Sequence, residues 1–144
     1  MTGVYSTKST IRFYHCDPAG IVYFPNYFDM AQALVEDWFG HGLGLSYAQI
    51  LNERHIGLPT VHLTVDFDRP SRLGDELTWT VLVEALGRSS VRLKIAASAE
   101  GIERLTIQQV IVTIDSKSGK TVPIPNDLRV KLANYQAATA GRKS

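Results

Sequence analysis

Hydrophobic residues recur with one spacing near the start of the chain and with another further on, and the change separates two regions. Residues 4–14, rich in Thr, Ile, Phe and Tyr, read as a first strand with loose alternation. Cys16-Asp17-Pro18-Ala19-Gly20 then supplies turn chemistry, because Pro fixes its own φ and Gly admits unusual backbone angles. A helix is expected from near Pro25, a residue suited to a first turn because it has no N–H to satisfy. Phe28, Ala31, Val35 and Trp38 follow at spacings of three and four and make one buried stripe, which Gly40, Gly42 and Gly44 end. Ser46-Tyr47-Ala48-Gln49 fits a capping box and predicts a short second helix to about Glu53.

From Leu58 the period falls to two. Val61, Leu63, Val65 and Phe67 alternate with His62, Thr64, Asp66 and Asp68, a half-buried strand that Arg69-Pro70 stops. Leu77, Trp79, Val81, Val83 and Ala85 alternate in the same way, as do Val91, Leu93, Ile95 and Ala97. Glu100-Gly101 is a tight-turn signal before a long strand over residues 102–115. Lys117-Ser118-Gly119-Lys120 turns the chain, and Asn126 is placed to cap a last helix with Leu128, Leu132 and Tyr135 on one face. The order is one strand, one substantial helix and a meander of about four strands. It predicts an α+β domain with a curved antiparallel sheet and the helix on its concave face. Mixed Thr and Ala on the other face of these strands point to burial by another subunit.

At 144 residues the chain is read as one domain, 1–144, with 137–144 a frayed tail. Fifteen Lys and Arg against 14 Asp and Glu leave +1, so no broad basic field for nucleic acid exists. The lone Cys16 excludes an intramolecular disulfide and a multi-cysteine zinc site, and it fits a reducing, cytoplasmic setting. No apolar run reaches 18 residues, so no membrane helix is expected. His41, His55 and His62 are too scattered for metal ligands, and no metal is expected.

The most informative stretch is His15-Cys16-Asp17-Pro18-Ala19-Gly20-Ile21-Val22-Tyr23-Phe24-Pro25-Asn26-Tyr27-Phe28. It sets a carboxylate on a turn just before a helix start, where unpaired N–H groups and the helix dipole can hold charge developing on an oxygen. Such a pair suits attack on an acyl carbonyl; the alternative is an Asp17 that only satisfies the turn through its side chain. Cys16 is the competing nucleophile, with His15 as its sequence neighbour. Neighbours on a strand point to opposite faces, so a buried, inert thiol is the better reading and His15 reads as structural. Arg88, Ser89 and Ser90, at the turn before the Val91 strand, offer a guanidinium fork and hydroxyls to a phosphate.

The run Asp17-Pro18-Ala19-Gly20-Ile21-Val22-Tyr23 with Pro25-Asn26-Tyr27 resembles the signature of the 4-hydroxybenzoyl-CoA thioesterase family of hotdog-fold proteins, and the element order agrees from about Tyr5 to Tyr135. The resemblance implies a long helix wrapped by an antiparallel sheet, and homodimers with a continuous sheet, often paired further into homotetramers. It implies hydrolysis of an aromatic or short acyl-CoA, with no cofactor apart from the CoA of the substrate. Asp17 would be nucleophile or general base, and the Phe24 amide would polarise the thioester carbonyl. Gly20, Tyr23 and Thr60 would meet the substrate, and Arg88, Ser89 and Ser90 the CoA nucleotide. A related branch carries a histidine after the motif tyrosine; here Tyr23 is followed by Phe24-Pro25, which favours the hydroxybenzoyl type. Residues 43–64 match less closely and leave the acyl group open. Rival readings are a broad short-chain acyl-CoA thioesterase, a hotdog dehydratase that would need a histidine paired with a carboxylate, and a non-catalytic acyl-CoA-binding module.

Overall fold

The chain is described by a computed structural model over residues 3–142. It runs β1 (Ser6–Thr10), α1 (Asn26–Asp37), α2 (Tyr47–Asn52), β2 (Ile56–Gly57), β3 (Thr60–Phe67), β4 (Glu76–Leu86), β5 (Ser90–Ala99), β6 (Ile102–Val112), β7 (Ile114–Asp115) and α3 (Asn126–Ala138). Five strands form one antiparallel sheet in the order β1-β4-β5-β6-β3, and β2 pairs with β7 beside it. The period-two pattern becomes cross-strand rows on one face. Trp79, Ala97, Leu105 and Phe67 lie in one row, and Val81, Ile95, Ile107 and Val65 in the next. Ala97 between Trp79 and Leu105 leaves room for the indole, which is fully buried with Tyr27 of α1 against it at a ring separation of 6.5 Å. Large aromatics buried in this way dominate the energetics of a core.

Helix α1 lays Tyr27, Met30, Ala31, Leu34 and Val35 on the sheet, and Trp38 continues the stripe in a wide turn over Trp38–Leu43. Phe28, expected on that stripe, is only half-buried and faces β3. Gly42 belongs to the turn because a Cβ there would stand 2.6 Å from the Trp38 ring. Gly44, at φ 75°, closes it in the left-handed region. Ser46 accepts the Gln49 N–H and caps α2 as expected.

Five expectations are corrected. The first strand is shorter than 4–14, because residues 13–15 wind into a single tight turn. β3 is exposed on both faces: it is the last strand of the sheet, and Val61 and Phe67 keep 59% and 53% of their surface in solvent. Ala85 is exposed because a bulge between Val83 and Ala85 slips the alternation. Asn126 is the first helical residue of α3, with Pro125 at the cap position. The helix also runs through Ala138, past the start of the expected tail, with the Thr139 hydroxyl donating to the Tyr135 carbonyl at 2.7 Å. Lys143 and Ser144 lie outside the described residues.

Glu100 and Gly101, at φ 53° and 75°, make the two-residue hairpin expected between β5 and β6. Three residues past that turn, Arg104 reaches over the loop before β4. Its Nη1 donates to Asp75 Oδ2 at 2.8 Å, Ser71 Oγ at 3.2 Å and the Pro70 carbonyl at 3.3 Å. The Arg72 N–H also donates to Asp75 Oδ2 at 2.9 Å. That backbone bond first, and then Arg104, hold the Asp75 carboxyl below the ordinary carboxylate range. A depressed folded-state value means stabilisation present above the unfolded value of about 3.9, lost as pH falls through the lower one. Asp75→Asn is therefore expected to cost about 1–2 kcal/mol at pH 7, a figure reduced for partial exposure. The gap between variant and parent should narrow as denaturation is repeated at pH values falling below about 3.9; a gap of constant size would contradict the linkage.

Candidate active site

The loop that carries Asp17 is a small hairpin fixed at both ends. The Asp17 N–H donates to the Ile21 carbonyl and the Gly20 N–H to the Asp17 carbonyl, both at 2.9 Å. Gly20 sits at φ 81° with open space where a Cβ would be, so its role here is conformational. The Val22 N–H bonds the Ser71 carbonyl, and the Leu73 N–H bonds the Gly20 carbonyl. The hairpin thus leans on the same segment that Arg104 clamps.

Asp17 Oδ1 accepts the Ala19 N–H at 2.9 Å, the turn role open to any Asp before Pro and Gly. Among the described residues Oδ2 has no hydrogen-bond partner. Beyond the hairpin, the Tyr23 N–H donates to the His15 carbonyl at 2.9 Å, and that carbonyl also accepts Asn26 Nδ2 at 2.8 Å. The Asn26, Tyr27 and Phe28 N–H groups are taken up by the carbonyls of Tyr23, Phe24 and Pro25. The Phe24 N–H is left over, with no acceptor among the described residues. One loop therefore presents a free carboxylate oxygen and, seven residues on, a free backbone donor at a helix start. Such a donor is suited to an oxygen that gains negative charge. The Tyr23 and Phe24 side chains are both 55% exposed, and Phe24 stands edge-on to Phe67 at 6.3 Å.

Cys16 turns its Sγ to the Arg12 carbonyl at 3.5 Å. His15 Nδ1 accepts the Arg12 N–H at 2.8 Å, so that nitrogen is committed to the backbone and the ring is no base for the thiol. Burial first, and then the nearby Arg12 charge, push His15 below the ordinary imidazole value.

The other expected residues lie at the far end of the sheet. β4 begins beside the Asp17 hairpin and ends at the Arg88 turn, and its 11 residues span roughly 33 Å. Thr60 is at the Arg88 end: it pairs with Ile111, which pairs with Val91. In the Arg88 turn the carbonyls of residues 87–89 all face inward. Arg129 Nη2 donates to those of Gly87 and Arg88 at 2.6 and 3.0 Å, and the Thr113 N–H donates to that of Ser89 at 2.8 Å. With the carbonyls tied back, the exposed Arg88 side chain is left without a partner among the described residues. One protomer thus brings Asp17, Gly20, Tyr23 and Phe24 together at one end and Thr60, Arg88, Ser89 and Ser90 together at the other.

A model of the thioesterase-like superfamily matches residues 11–132 of the chain. The chain belongs to this superfamily. Within it, the chain is 31% identical to a 1,4-dihydroxy-2-naphthoyl-CoA hydrolase of Acaryochloris marina over 133 residues, 90% of this chain and 96% of that one. The solved 1,4-dihydroxy-2-naphthoyl-CoA thioesterase from Synechocystis superposes with a TM-score of 0.82 at 22% identity, covering 91% of this chain and 96% of its own. A Staphylococcus aureus protein solved in complex with CoA superposes with a TM-score of 0.86 at 18% identity, covering 98% and 87%. The expected hotdog fold is the fold of this thioesterase-like chain. The family expectation holds at the level of the superfamily, and the named relatives act on a naphthoyl rather than a hydroxybenzoyl thioester.

Two contributors went unread in the sequence. Arg129 braces the Arg88 turn from α3, 41 residues away, and nothing local marks it. Gln109 occupies the inward phase of Leu105, Ile107 and Ile111 on β6, a visible break in an apolar alternation. The thiol's geometry yields a direct check. Cys16→Ala should retain most hydrolysis of an aromatic acyl-CoA, whereas a folded but inactive variant would make the thiol the nucleophile.

Proposed function

We propose that this thioester hydrolase acts on an aromatic acyl-CoA, with Asp17 attacking the carbonyl or activating water and the Phe24 N–H holding the oxyanion. The observation that carries the reading is the pairing, on one pinned loop, of a free Asp17 carboxylate oxygen with a free Phe24 N–H. The first route gives a mixed anhydride that water then opens, and the second is general-base hydrolysis. The hydroxylated acyl group named for the relatives supports a hydroxynaphthoyl or hydroxybenzoyl thioester as substrate. CoA is part of that substrate, the reaction needs no further cofactor, and the protein works in the cytoplasm.

The same reading makes residues 1–144 one domain that works as a homodimer, or as a dimer of dimers. The outer edge of β3 is unpaired, with Val61, Leu63 and Phe67 exposed along it. Pairing β3 antiparallel with the same strand of a second copy reverses that copy, and sets its Thr60 and Arg88 end beside this chain's Phe67 and Phe24 end. From β3 to the partner's β5 is then three strand spacings, about 14 Å. The distance suits the pantetheine arm, with the acyl group on one protomer and the CoA phosphates on the Arg88 turn of the other.

Two substitutions separate the parts of this site. Asp17→Asn keeps an acceptor for the Ala19 N–H but has neither base nor nucleophile. It should lower kcat by about 10²–10⁴ while CoA still binds. Arg88→Ala should raise KM about ten- to a hundredfold with little change in kcat, since a contact remote from the thioester binds ground and transition states alike. A thiol-release assay across aromatic and short-chain acyl-CoAs reads both. Near-parental turnover by Asp17→Asn would overturn the mechanism, and acyl-CoA binding without any thiol release would make the protein a binding module.

A further inference from the structure

Between α1 and β3 two cavities follow one another along the seam. The first, about 240 Å³, is lined by Phe24, Tyr27 and Phe67 at the Asp17 end. The second, about 190 Å³, lies further along, walled by Phe28, Leu63 and Ile107. Phe24, just before α1, lines the first cavity, and Phe28, in its first turn, lines the second.

The floor of the second cavity is polar where the fold calls for an apolar side chain. Gln109 stands in the helix-facing row Val83, Leu93, Gln109, Leu63, and only 8% of its surface is exposed. Burying an amide among aliphatic neighbours costs free energy unless its groups are bonded. One half is satisfied: Gln109 Nε2 donates to Thr60 Oγ1 at 2.8 Å. The carbonyl half, Oε1, has no partner among the described residues. Thr60 ties one end of the amide, the nitrogen in this structure, and leaves the other end, the oxygen, facing the cavity.

We propose that Gln109 is the specificity-determining residue of the acyl pocket, the amide end left free, Oε1, accepting a hydrogen bond from a ring hydroxyl of the aromatic acyl group, with Thr60 as the positioning residue that holds the other end. This rests on the reading that the thioester carbonyl is held at the Phe24 N–H. An unsubstituted ring would fill the same space and leave Oε1 buried and unpaired. Sites built to bond a hydroxyl discriminate against such analogues more strongly than apolar pockets discriminate by size.

The test is a binding measurement that needs no turnover. Phenacyl-CoA and 4-hydroxyphenacyl-CoA, thioethers that cannot be hydrolysed, are titrated calorimetrically against the parent protein, Gln109→Met and Thr60→Val, with thermal unfolding to establish that each variant is folded. A second hydroxylated thioether, built on a 1,4-dihydroxynaphthyl ring, covers the longer acyl group. The parent should bind at least one hydroxylated thioether ten- to a hundredfold more tightly than phenacyl-CoA. Gln109→Met, close to Gln in shape, should bring that ratio to within about threefold of unity, and Thr60→Val should move it the same way. A parent that ignores both hydroxylated ligands, or a folded Gln109→Met with an unchanged ratio, would overturn the proposal. Failure of the hydrolytic reading shows elsewhere, as absent thiol release from the corresponding thioesters, and leaves the binding ratio intact.

Discussion

The length of β4 is the constraint on which the rest of the site depends. Eleven residues in extended conformation set the hairpin bearing Asp17 and the turn bearing Arg88 roughly 33 Å apart along one sheet. No side chain bridges that span, so the candidate chemistry and the candidate phosphate anchor of one chain cannot serve a single substrate molecule side by side. In the proposed homodimer two-fold symmetry would resolve the conflict, because an antiparallel partner would bring the opposite end of its own sheet to the same place. β3, the last strand of the sheet, is the edge at which the proposed partner would pair.

Each end is stiffened by a residue that touches neither reacting atom. At the Asp17 end Arg104 gathers Pro70, Ser71 and Asp75, and the hairpin leans on that gathered loop through Val22 and Leu73. At the Arg88 end Arg129 draws two carbonyls toward α3. Arg104 bonds a carbonyl, a hydroxyl and a carboxylate, and Arg129 bonds two carbonyls, contacts that fix loop shape at each end. Preorganised groups of this kind give a catalytic loop its geometry before substrate arrives.

Much of this was legible in the sequence. The alternations over Leu77 to Val83 and Val91 to Ala97 became the central strands because both edges of those strands are paired and one face is buried, where period and burial agree. The Asp17 turn and the helix after it were readable because Pro, Gly and Asp act locally. β3 misled for a physical reason: its apolar residues alternate as if toward a core, yet one edge and much of both faces are open in the single chain. That pattern is what the proposed pairing of β3 with a second copy would bury. Gln109 marked itself as an irregularity, but only the register across β4, β5, β6 and β3 gives that irregularity a floor, a partner in Thr60 and a cavity above it. Arg104 and Arg129 were invisible because their contacts join segments 29–42 residues apart.

A mixed-chain measurement tests the shared site most directly. Asp17→Asn and Arg88→Ala chains, differently tagged, are refolded together in equal amounts, and hydrolysis of an aromatic acyl-CoA is followed at low substrate concentration. If Asp17 of one protomer works with Arg88 of the other, each mixed dimer holds one intact site. Activity should then rise to about a quarter of the parental value, well above either variant alone, since random pairing under two-fold symmetry leaves about one site in four intact. Activity no greater than the average of the two separate variants would mean that each chain uses its own residues, and would contradict the shared site.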